Sequence, residues 1–463
     1  MSRVLSVKVA AARAVGAVIR GAGRGGGTSL PGKVLMRLEP GAIGELAARL
    51  PQGSVVLSAT NGKTTTAAMV ASILGQAGTT AVHNRAGANM AGGIASTLLA
   101  AARRGDGIAG EIGLFEVDEF WLGGLIAQLH PRALLLGNLF RDQLDRYGEL
   151  ETIADRWAVA VRTQPESTRL VLNADDPLIA DLGRERSGVR LFGVEDRSLA
   201  LPELQHAADS KHCRRCGAPY VYDAIFLGHL GHYHCPNCGR ERPAPDVRAS
   251  EIVLHGTRRA TFTLDAPEGR ARVELPLPGL YNVYNALGAA ALTLELGVGL
   301  ATVVAGLQAT GAAFGRAEAV QLGETEMTIL LVKNPAGANE VLRTLALEGD
   351  GLHLLAVLND QIADGRDISW VWDADFELLA GRVAEVTCAG TRAAELALRL
   401  KYAGVDPARL TVIGELGPAL DRARDAAAGA DRPLFALPTY TALLELRDLL
   451  ADRGHVGRFW EAS

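Results

Sequence analysis

Short apolar runs alternate with stretches of helical spacing along most of the chain. Between residues 54 and 201 the clearest apolar runs are residues 112–117, 133–136 and 170–172. Parallel strands need long crossover connections, which are usually helices, so this alternation predicts a mainly parallel α/β sheet. Residues 249–264 follow as paired strands that return to the same sheet.

A second α/β unit is predicted after a joint near residues 309–314. Apolar runs again alternate with helical patterns from there to the C-terminus. The predicted strands are residues 329–332, 353–358, 383–388, 410–412 and 434–436. The chain therefore reads as two successive α/β units.

The first strand runs into a sequence that is typical of a phosphate-binding loop. An apolar run ends at Ser58, a turn of small residues follows, and a helical pattern begins at Lys63. The usual pattern has a glycine at the position of Ser58. Backbone N–H groups of such a loop face an anion, a lysine reaches the β/γ-phosphates, and the next hydroxyl ligates Mg²⁺. The predicted nucleotide-binding residues are Thr60, Asn61, Gly62, Lys63, Thr64 and Thr65.

Polar clusters follow several predicted strands of the first sheet. In open parallel sheets, ligands bind at the carboxyl ends of the strands. We expect Glu116 to be a second Mg²⁺ ligand and Asp142 to be a nearby polar or metal contact. Asn282 and Asn285 lie on adjacent turns of one predicted helix face, where two amides could read a base edge. Helix capping is the alternative for this pair.

Four of the five cysteines form two Cys-x-x-Cys pairs: Cys213, Cys216, Cys235 and Cys238. This spacing predicts a zinc ribbon with four thiolate ligands. Four sulfur ligands leave no open coordination position, so the expected Zn²⁺ is structural. Four nearby histidines (His212, His229, His232 and His234) are the rival ligands. Cys388 stands in a predicted strand and is expected to be a core residue.

Composition limits the classes of function. The 463 residues are 48% hydrophobic and 21% charged, with a net charge of −5. No apolar run is long enough for a membrane-spanning helix, so we expect a soluble cytoplasmic protein. The acidic balance and the lack of a basic aromatic face count against nucleic-acid binding. Residues 4–19 predict a basic helix, which either packs on the following domain or faces an anionic membrane.

Taken together, these motifs resemble the ATP-dependent Mur ligases. The sequence 60–66, Glu116, the pair Asn282 and Asn285, residues 315–316, and residues 334–335 follow one another in the order of that family. The resemblance runs from about residue 31 to near the C-terminus. The cysteine ribbon and the motifs at residues 84–90, 140–148 and 359–370 make the chain similar to the MurT branch, whose members are subunits of lipid II isoglutaminyl synthase.

The resemblance implies a reaction and a partner. ATP would phosphorylate the α-carboxylate of D-isoglutamate in the lipid II stem peptide. Ammonia from a glutamine amidotransferase subunit of the GatD type would then form D-isoglutamine. Lys63 and Glu116 would act in phosphoryl transfer, while Arg316 and Asn334 would contact ATP. Asp367 would complete a Cys–His–Asp triad whose other members belong to the partner, with Asp364 as the competing candidate.

The implied organisation has four parts. These are an N-terminal basic helix with a glycine-rich joint (1–47), a Mur ligase central ATPase domain (48–312), an inserted zinc ribbon with four cysteine ligands (209–243) and a C-terminal Mur ligase-like α/β domain (313–463). The chain would work at the inner face of the cell membrane. The alternatives are a Mur-type amino-acid ligase that needs no amidotransferase, and a zinc-ribbon module that binds nucleic acid.

Overall fold

Two β-sheets, each covered by helices on both faces, organise the chain. The computed structural model describes residues 8–9, 12–13, 29–84, 88–103, 107–142, 150–205, 208–311 and 316–457, and the side chain of residue 316 is outside this set. A separate two-stranded hairpin stands beside the larger sheet.

The larger sheet has nine strands. They are β1 (Ser54–Ser58), β2 (Ala81–His83), β3 (Ile112–Glu116), β4 (Ala133–Leu136), β5 (Arg169–Asn173), β6 (Val189–Val194), β9 (Val247–His255), β10 (Arg259–Ala266) and β11 (Gly269–Leu275). The parallel part takes the order β2-β3-β1-β4-β5-β6-β9, and an antiparallel edge of β10 and β11 continues from β9. β1, β3 and β4 are buried along their whole length, as expected for strands covered on both faces.

Nine helices among the described residues belong to this part of the chain. They are α1 (Leu30–Leu38), α2 (Ala42–Ala47), α3 (Lys63–Gln76), α4 (Ala91–Ala101), α5 (Leu122–Leu129), α6 (Leu150–Arg162), α7 (Pro177–Ala180), α8 (Leu280–Glu295) and α9 (Leu300–Gln308). One face of the sheet is packed by residues of α3, α8 and α9, and the other by residues of α1, α2, α4, α5 and α6. Helix α8 is buried almost throughout, which explains its run of alanines.

The cysteine-rich segment forms the hairpin beside this sheet. Strands β7 (Val221–Leu227) and β8 (Leu230–His234) pair antiparallel. The cysteines lie before β7 and after β8. Three of them (Cys213, Cys235 and Cys238) pack with Tyr220 and Tyr233 in a small core of their own, and Cys216 is exposed. The tip of the hairpin belongs instead to the core of the larger sheet, where Phe226, Leu227 and Leu230 are buried.

The C-terminal unit is built on the second sheet. Its elements are β12 (Arg316–Leu322), β13 (Thr325–Leu330), α10 (Pro335–Ala346), β14 (Leu352–Val357), β15 (Val383–Ala389), α11 (Ala393–Tyr402), β16 (Leu410–Val412), α12 (Leu416–Gly429), β17 (Leu434–Pro438) and α13 (Tyr440–Asp452). The six strands take the order β12-β13-β17-β14-β15-β16, all parallel except β12. Helices α10 and α11 pack one face, and α12 and α13 pack the other.

The described residues of the N-terminal segment pack on the body of the chain. Val9 and Ala12 are buried, and the Lys8 ammonium pairs with Glu39 at 2.8 Å. The Arg13 guanidinium donates to the carbonyl of Leu99 at 2.8 Å. These contacts favour the packed helix over the membrane-facing one for these four residues. Most of residues 4–19 lie outside the described set. None of the helices that the structure describes has the length and apolar character of a membrane span.

The strands expected from the sequence are confirmed, with small shifts at their ends. The segment after β13, residues 333–337, begins a helix rather than forming a turn. Helix α10 begins at Pro335, and Asn334 is its N-cap. Proline at the first helical position and asparagine before it are a standard start signal, which outweighs the turn character of the sequence.

Candidate functional site

The ends of three neighbouring strands form the floor of the site. β1 lies between β3 and β4 and runs parallel to both. The chain therefore brings the loop after Ser58, the carboxylate of Glu116 and the amide of Asn138 to one edge of the sheet. Chain connections leave in opposite directions on the two sides of β1, and such a switch point is where open α/β sheets bind ligands.

The phosphate loop is tied to the end of β4. The backbone N–H of Thr60 donates to the Asn138 carbonyl at 2.9 Å, and the N–H of Asn61 donates to Asn138 Oδ1 at 2.9 Å. Gly62 has φ +87°, and a Cβ there would overlap Asn285 Oδ1. Only glycine fits this position, which explains why the loop keeps its glycine directly before the helix.

Lys63 lies at the first position of α3 and is buried. Its Nζ donates to Glu119 Oε2 at 2.8 Å, and both side chains are about one tenth exposed. Burial by itself would lower the pKa of Lys63, but the carboxylates of Glu119 and Asp118 outweigh it and raise that pKa. Burial would raise the pKa of Glu119, but Lys63 and Lys333 outweigh it and lower that pKa. Both members of the pair are therefore charged at neutral pH.

The expected magnesium ligands lie side by side. Thr64 Oγ1 donates to Glu116 Oε1 at 3.3 Å, and Asn89 Nδ2 donates to the same oxygen at 3.5 Å. Asn84 holds the backbone of Glu116 with two hydrogen bonds, at 2.9 and 2.8 Å. Octahedral Mg²⁺ takes oxygen ligands at about 2.0–2.1 Å, so neighbouring ligand oxygens lie about 3 Å apart. Thr64 and Glu116 fit this requirement.

The two asparagines of α8 have different surroundings. Asn285 Oδ1 accepts from Thr66 Oγ1 at 3.3 Å, and its Nδ2 donates to Asn282 Oδ1 at 3.1 Å. Asn282 Nδ2 donates to the Pro278 carbonyl at 2.7 Å. Asn285 lines the cavity beside the phosphate loop together with Thr65, whereas Asn282 stands behind it. Asn282 thus holds Asn285 in place, and of the two only Asn285 is positioned to face a ligand.

The cavity beside the phosphate loop is bounded by three parts of the chain. Helix α8, the hairpin tip and helix α10 each supply a wall. Most of the lining is apolar and suits a flat ring. The apolar side chains that bound it include Phe140, Leu227, Leu230, Tyr281, Tyr284 and Val341.

The C-terminal α/β unit touches the phosphate loop directly. Asn334 accepts the N–H of Gly337 at 2.8 Å as the N-cap of α10. It also exchanges two hydrogen bonds with Asn61, at 3.0 and 3.3 Å. The neighbouring Lys333 pairs with Asp142. Asp142 is thus placed near the loop as expected, and it bonds a lysine across the two units.

Arg316, the other residue expected to contact ATP from this side, begins β12 opposite Leu330. Its side chain lies outside the described part of the chain.

The two carboxylates of residues 364–370 differ in their exposure to solvent and in the direction of their pKa shifts. Asp364 is buried and accepts the N–H of Thr441 at 2.7 Å, and burial raises its pKa above the ordinary value despite that bond. Asp367 is exposed, and its Oδ1 accepts the N–H of Ser369 at 2.8 Å. Hydrogen bonds from Ser369 lower the pKa of Asp367. Asp364 thus fixes the loop through its hydrogen bond from Thr441, whereas Asp367 is ionised and open to solvent.

A groove runs from this loop to Lys333 and Asn334, which bond Thr60 and Asn61 of the phosphate loop. Asp367 and Trp370 line one end of it, and Lys333 and Asn334 line the other. Arg141 spans the groove, because it bonds Asp209 and also lies 3.6 Å from Asp373. The groove therefore leads from the exposed carboxylate to the two residues that bond the phosphate loop.

The four expected cysteines come together. Their Sγ atoms all lie within 4.8 Å of one another, with Cys213 and Cys238 at 3.6 Å and Cys216 and Cys235 at 3.4 Å. A tetrahedron with Zn–S bonds of about 2.3 Å has edges of about 3.8 Å, so the cluster is compatible with zinc. The Asn237 side chain and the Ala218 N–H lower the pKa of Cys216 to about 6. The hydrogen bond from the Arg240 backbone would lower the pKa of Cys238, but burial and the neighbouring thiols outweigh it and raise that pKa to about 11.

Comparison with known proteins decides the family. The chain is 33% identical over 432 residues to the lipid II isoglutaminyl synthase (glutamine-hydrolyzing) subunit MurT of Streptococcus pneumoniae, and the match covers 93% of each chain. The MurT subunit of Staphylococcus aureus is 34% identical over 382 residues, covering 82% of this chain and 84% of that one. The chain belongs to the MurT family. Residues 331–443 also match the MurT ligase C-terminal family, and residues 58–238 match the Mur ligase middle domain.

Solved structures place the MurT fold among the Mur ligases. A pseudomurein peptide ligase type C from Methanothermus fervidus superposes with a TM-score of 0.64 at 22% identity, covering 87% of this chain and 79% of that chain. The MurF ligase of Thermotoga maritima in complex with ADP gives a TM-score of 0.62 at 13% identity, covering 92% and 85%. The expected fold class, a Mur ligase-like α/β fold, is confirmed.

Several residues of this MurT site were not predicted from the sequence. Glu119 lies three residues after Glu116, in the acidic segment that follows β3. Asn138 follows β4, and the parallel pairing of β1 and β4 could have indicated its contact with the loop. The positions of Leu227 and Leu230 at the cavity could not be predicted, because the sequence around them does not show that the hairpin tip reaches it.

Proposed function

We propose that this chain is the ATP-dependent synthetase subunit that amidates the D-isoglutamate α-carboxylate of the lipid II stem peptide, giving D-isoglutamine for peptidoglycan synthesis. The observation that carries the proposal is the 33% identity to a lipid II isoglutaminyl synthase subunit over 93% of both chains. The test is amidation of lipid II from glutamine and ATP by this chain together with a GatD-type amidotransferase, and by neither protein alone.

The chemistry requires activation of a carboxylate. A carboxylate oxygen attacks the γ-phosphorus of ATP, the bond to the β,γ-bridging oxygen breaks, and ADP leaves. Ammonia then attacks the acyl phosphate carbon, phosphate departs with the electron pair of the C–O bond, and the nitrogen gives up one proton, which ends on phosphate or solvent. The ammonium of Lys63 would stabilise the negative charge that develops on the transferring phosphoryl group, and Thr60, Asn61, Gly62 and Thr65 would surround the phosphates.

The magnesium site proposed for this chain consists of Thr64 and Glu116. Their oxygens already lie 3.3 Å apart, Asn84 holds the Glu116 backbone, and Asn89 bonds the carboxylate. Mg²⁺ held there would neutralise charge on the β- and γ-phosphates.

The zinc site proposed for this chain is the cluster of four thiols. Cys213, Cys216, Cys235 and Cys238 would hold a structural Zn²⁺ that keeps the hairpin folded. The separations of 3.4 and 3.6 Å between paired sulfurs support this assignment.

ATP contacts are proposed from both α/β units. Asn285 faces the cavity from α8, with Asn282 behind it, and Asn334 meets the phosphate loop from α10. Arg316 is proposed as a further ATP contact on the strength of the family resemblance. The proposed division of the chain is residues 1–47, 48–312 (with the ribbon at 209–243) and 313–463.

Asp367 is proposed to complete the glutaminase triad of the partner. A carboxylate in such a triad orients the imidazole and stabilises its charged form. Asp367 is exposed and its pKa is lowered, so it is ionised and accessible at neutral pH. Asp364 is buried against Thr441 and suits a structural role. The groove from Asp367 to Asn334 supports transfer of ammonia towards the phosphate loop.

The proposed place of work is the cytoplasmic face of the cell membrane, where the lipid-linked substrate is anchored. The partner is the GatD-type subunit in a heterodimer, and no role for nucleic acid is proposed. The rival function, an amino-acid ligase without an amidotransferase, predicts product from a free amino acid with this chain alone.

A further inference from the structure

Glu340 is a buried carboxylate in an otherwise mostly apolar wall of the cavity. It lies on α10, is only 3% exposed and lines the cavity with Tyr281, Tyr284 and Leu230. The phosphoryl-transfer chemistry described above does not use it. Burying an ionisable group in such surroundings costs free energy unless its polar atoms find partners.

Only part of the Glu340 carboxylate is bonded within the protein. Its Oε1 accepts Arg343 Nη1 at 2.6 Å. Among the residues that the structure describes, none donates a hydrogen bond to Oε2. The same Arg343 nitrogen donates to the Phe226 carbonyl of the hairpin at 2.8 Å. Arg343 therefore fixes the carboxylate between α10 and the hairpin and leaves one oxygen for a donor on a ligand.

The position of Glu340 along α10 indicates which part of a nucleotide it meets. Gly337, in the first turn, is close to Asn61 of the phosphate loop, since a Cβ built on it would lie 3.8 Å from Asn61 Oδ1. Glu340 is three residues later, about 4.5 Å further along the helix axis, and its partner Arg343 reaches the hairpin. The Asn61 end suits phosphates, and the hairpin end suits the base.

We propose that Glu340 selects the nucleobase, its Oε2 accepting a hydrogen bond from the 6-amino group of adenine. This inference rests on the proposed function, because it requires a nucleotide in this cavity. Hypoxanthine and guanine carry a carbonyl oxygen at the same ring position. That oxygen would face the ionised carboxylate as a second acceptor with no proton between them, so 6-oxopurine nucleotides are rejected while Glu340 is ionised. Burial raises the pKa of Glu340, and the guanidinium of Arg343 opposes that shift.

The test is the Glu340→Gln variant of the full chain, assayed with its amidotransferase partner and ATP, ITP or 2′-deoxy-ATP. With Arg343 on the amide oxygen, the amide nitrogen faces the base. A donor there repels the 6-amino group and matches a 6-oxo group. We expect kcat/KM to fall about tenfold or more for ATP and to rise for ITP. The value of kcat/KM for 2′-deoxy-ATP should fall by the same factor as that for ATP.

Matched variants separate base selection from a general effect on the fold. Glu348→Gln is the control, because Glu348 bonds Thr257 at another contact between the two units and does not line the cavity. It should leave the ratio of kcat/KM for ATP to that for ITP unchanged. Glu340→Ala should lose the preference for ATP, because it removes both the acceptor for the 6-amino group and the repulsion of a 6-oxo group. It should gain less activity with ITP than Glu340→Gln does, because alanine offers no donor.

Three results would overturn the assignment. Equal losses for ATP and ITP in Glu340→Gln would show a role in packing alone. If Glu340→Gln lowered kcat/KM for ATP but not for 2′-deoxy-ATP, the contact would be with the ribose. A wild-type complex that is inactive with every nucleotide would overturn the proposed function as well, whereas the first two results would leave it standing.

Discussion

Asn61 and Asn334, 273 residues apart in the chain, exchange two side-chain hydrogen bonds at 3.0 and 3.3 Å. One residue lies in the phosphate loop and the other caps the first helix of the C-terminal unit. The pair therefore fixes where that unit meets the nucleotide site.

Replacing Asn334 by Ala removes both this pair and the cap on Gly337. Loss of a helix N-cap costs about 1 kcal/mol of stability, and loss of the bond to Asn61 leaves the two units less firmly placed. We expect a lower melting temperature and a several-fold higher KM for ATP. The Asn334→Ser variant keeps a capping oxygen and is the control: it should recover the melting temperature but not the KM. Full recovery of both would show that Asn334 acts as a cap only.

The Gly62→Ala variant should lose most ATP-dependent activity. Its Cβ would overlap Asn285 Oδ1, and φ is +87° there. A left-handed conformation alone costs about 1–2 kcal/mol for a residue with a side chain. We expect amidation to fall by about tenfold or more. Gly75→Ala, in the same helix with open space around it, is the matched control and should keep full activity. Normal nucleotide affinity in Gly62→Ala would contradict the assigned loop.

Glu116→Gln should raise the Mg²⁺ concentration needed for half-maximal activity. The neutral amide is a weaker ligand for a hard cation than the carboxylate 3.3 Å from Thr64. We expect kcat to fall by about 100-fold or more at low Mg²⁺ and to recover in part at high Mg²⁺. The Glu166→Gln variant, at an exposed position, is the control. A Glu116→Gln variant with an unchanged Mg²⁺ dependence would remove Glu116 from the metal site.

Thiol chemistry tests the cysteine cluster. Burial raises the pKa of Cys388 to about 12, so its thiol stays neutral and unreactive towards alkylating reagents at pH 8 in the folded chain. We expect one equivalent of zinc per chain and, after chelation, four newly reactive thiols. Unfolding should expose the fifth. Since the unfolded thiol ionises near its ordinary pKa, the contribution of Cys388 to stability is lost as pH rises above about 9. Alkylation of Cys388 in the folded protein would contradict this description.

The sequence predicts those parts of the site that are local or lie at the ends of adjacent strands. Lys63 and Thr64 belong to one contiguous motif, and Glu116 is the last residue of β3, which pairs with β1. Parallel pairing brings such residues together whatever the rest of the chain does.

Residues that meet through packing of separate units were not predictable in this way. The contact of Asn334 with Asn61 and the placement of Glu340 beside Leu230 depend on how α10 and the hairpin dock, which no local pattern encodes. Asn282 shows what spacing on a helix leaves out: its position on α8 does not reveal that its amide donates to the Pro278 carbonyl.

The decisive measurement is amidation of lipid II by the two-protein complex carrying Asp367→Asn, with glutamine or with free ammonium as the nitrogen source. A carboxylate that serves only the partner's glutaminase predicts loss of glutamine hydrolysis and of glutamine-dependent product, while ammonium restores product at the wild-type rate. Asp364→Asn should instead lower the melting temperature, because Asp364 holds its loop to Thr441. If Asp367→Asn hydrolyses glutamine normally, or if this chain ligates a free amino acid on its own, the proposed division of labour between the two subunits is wrong.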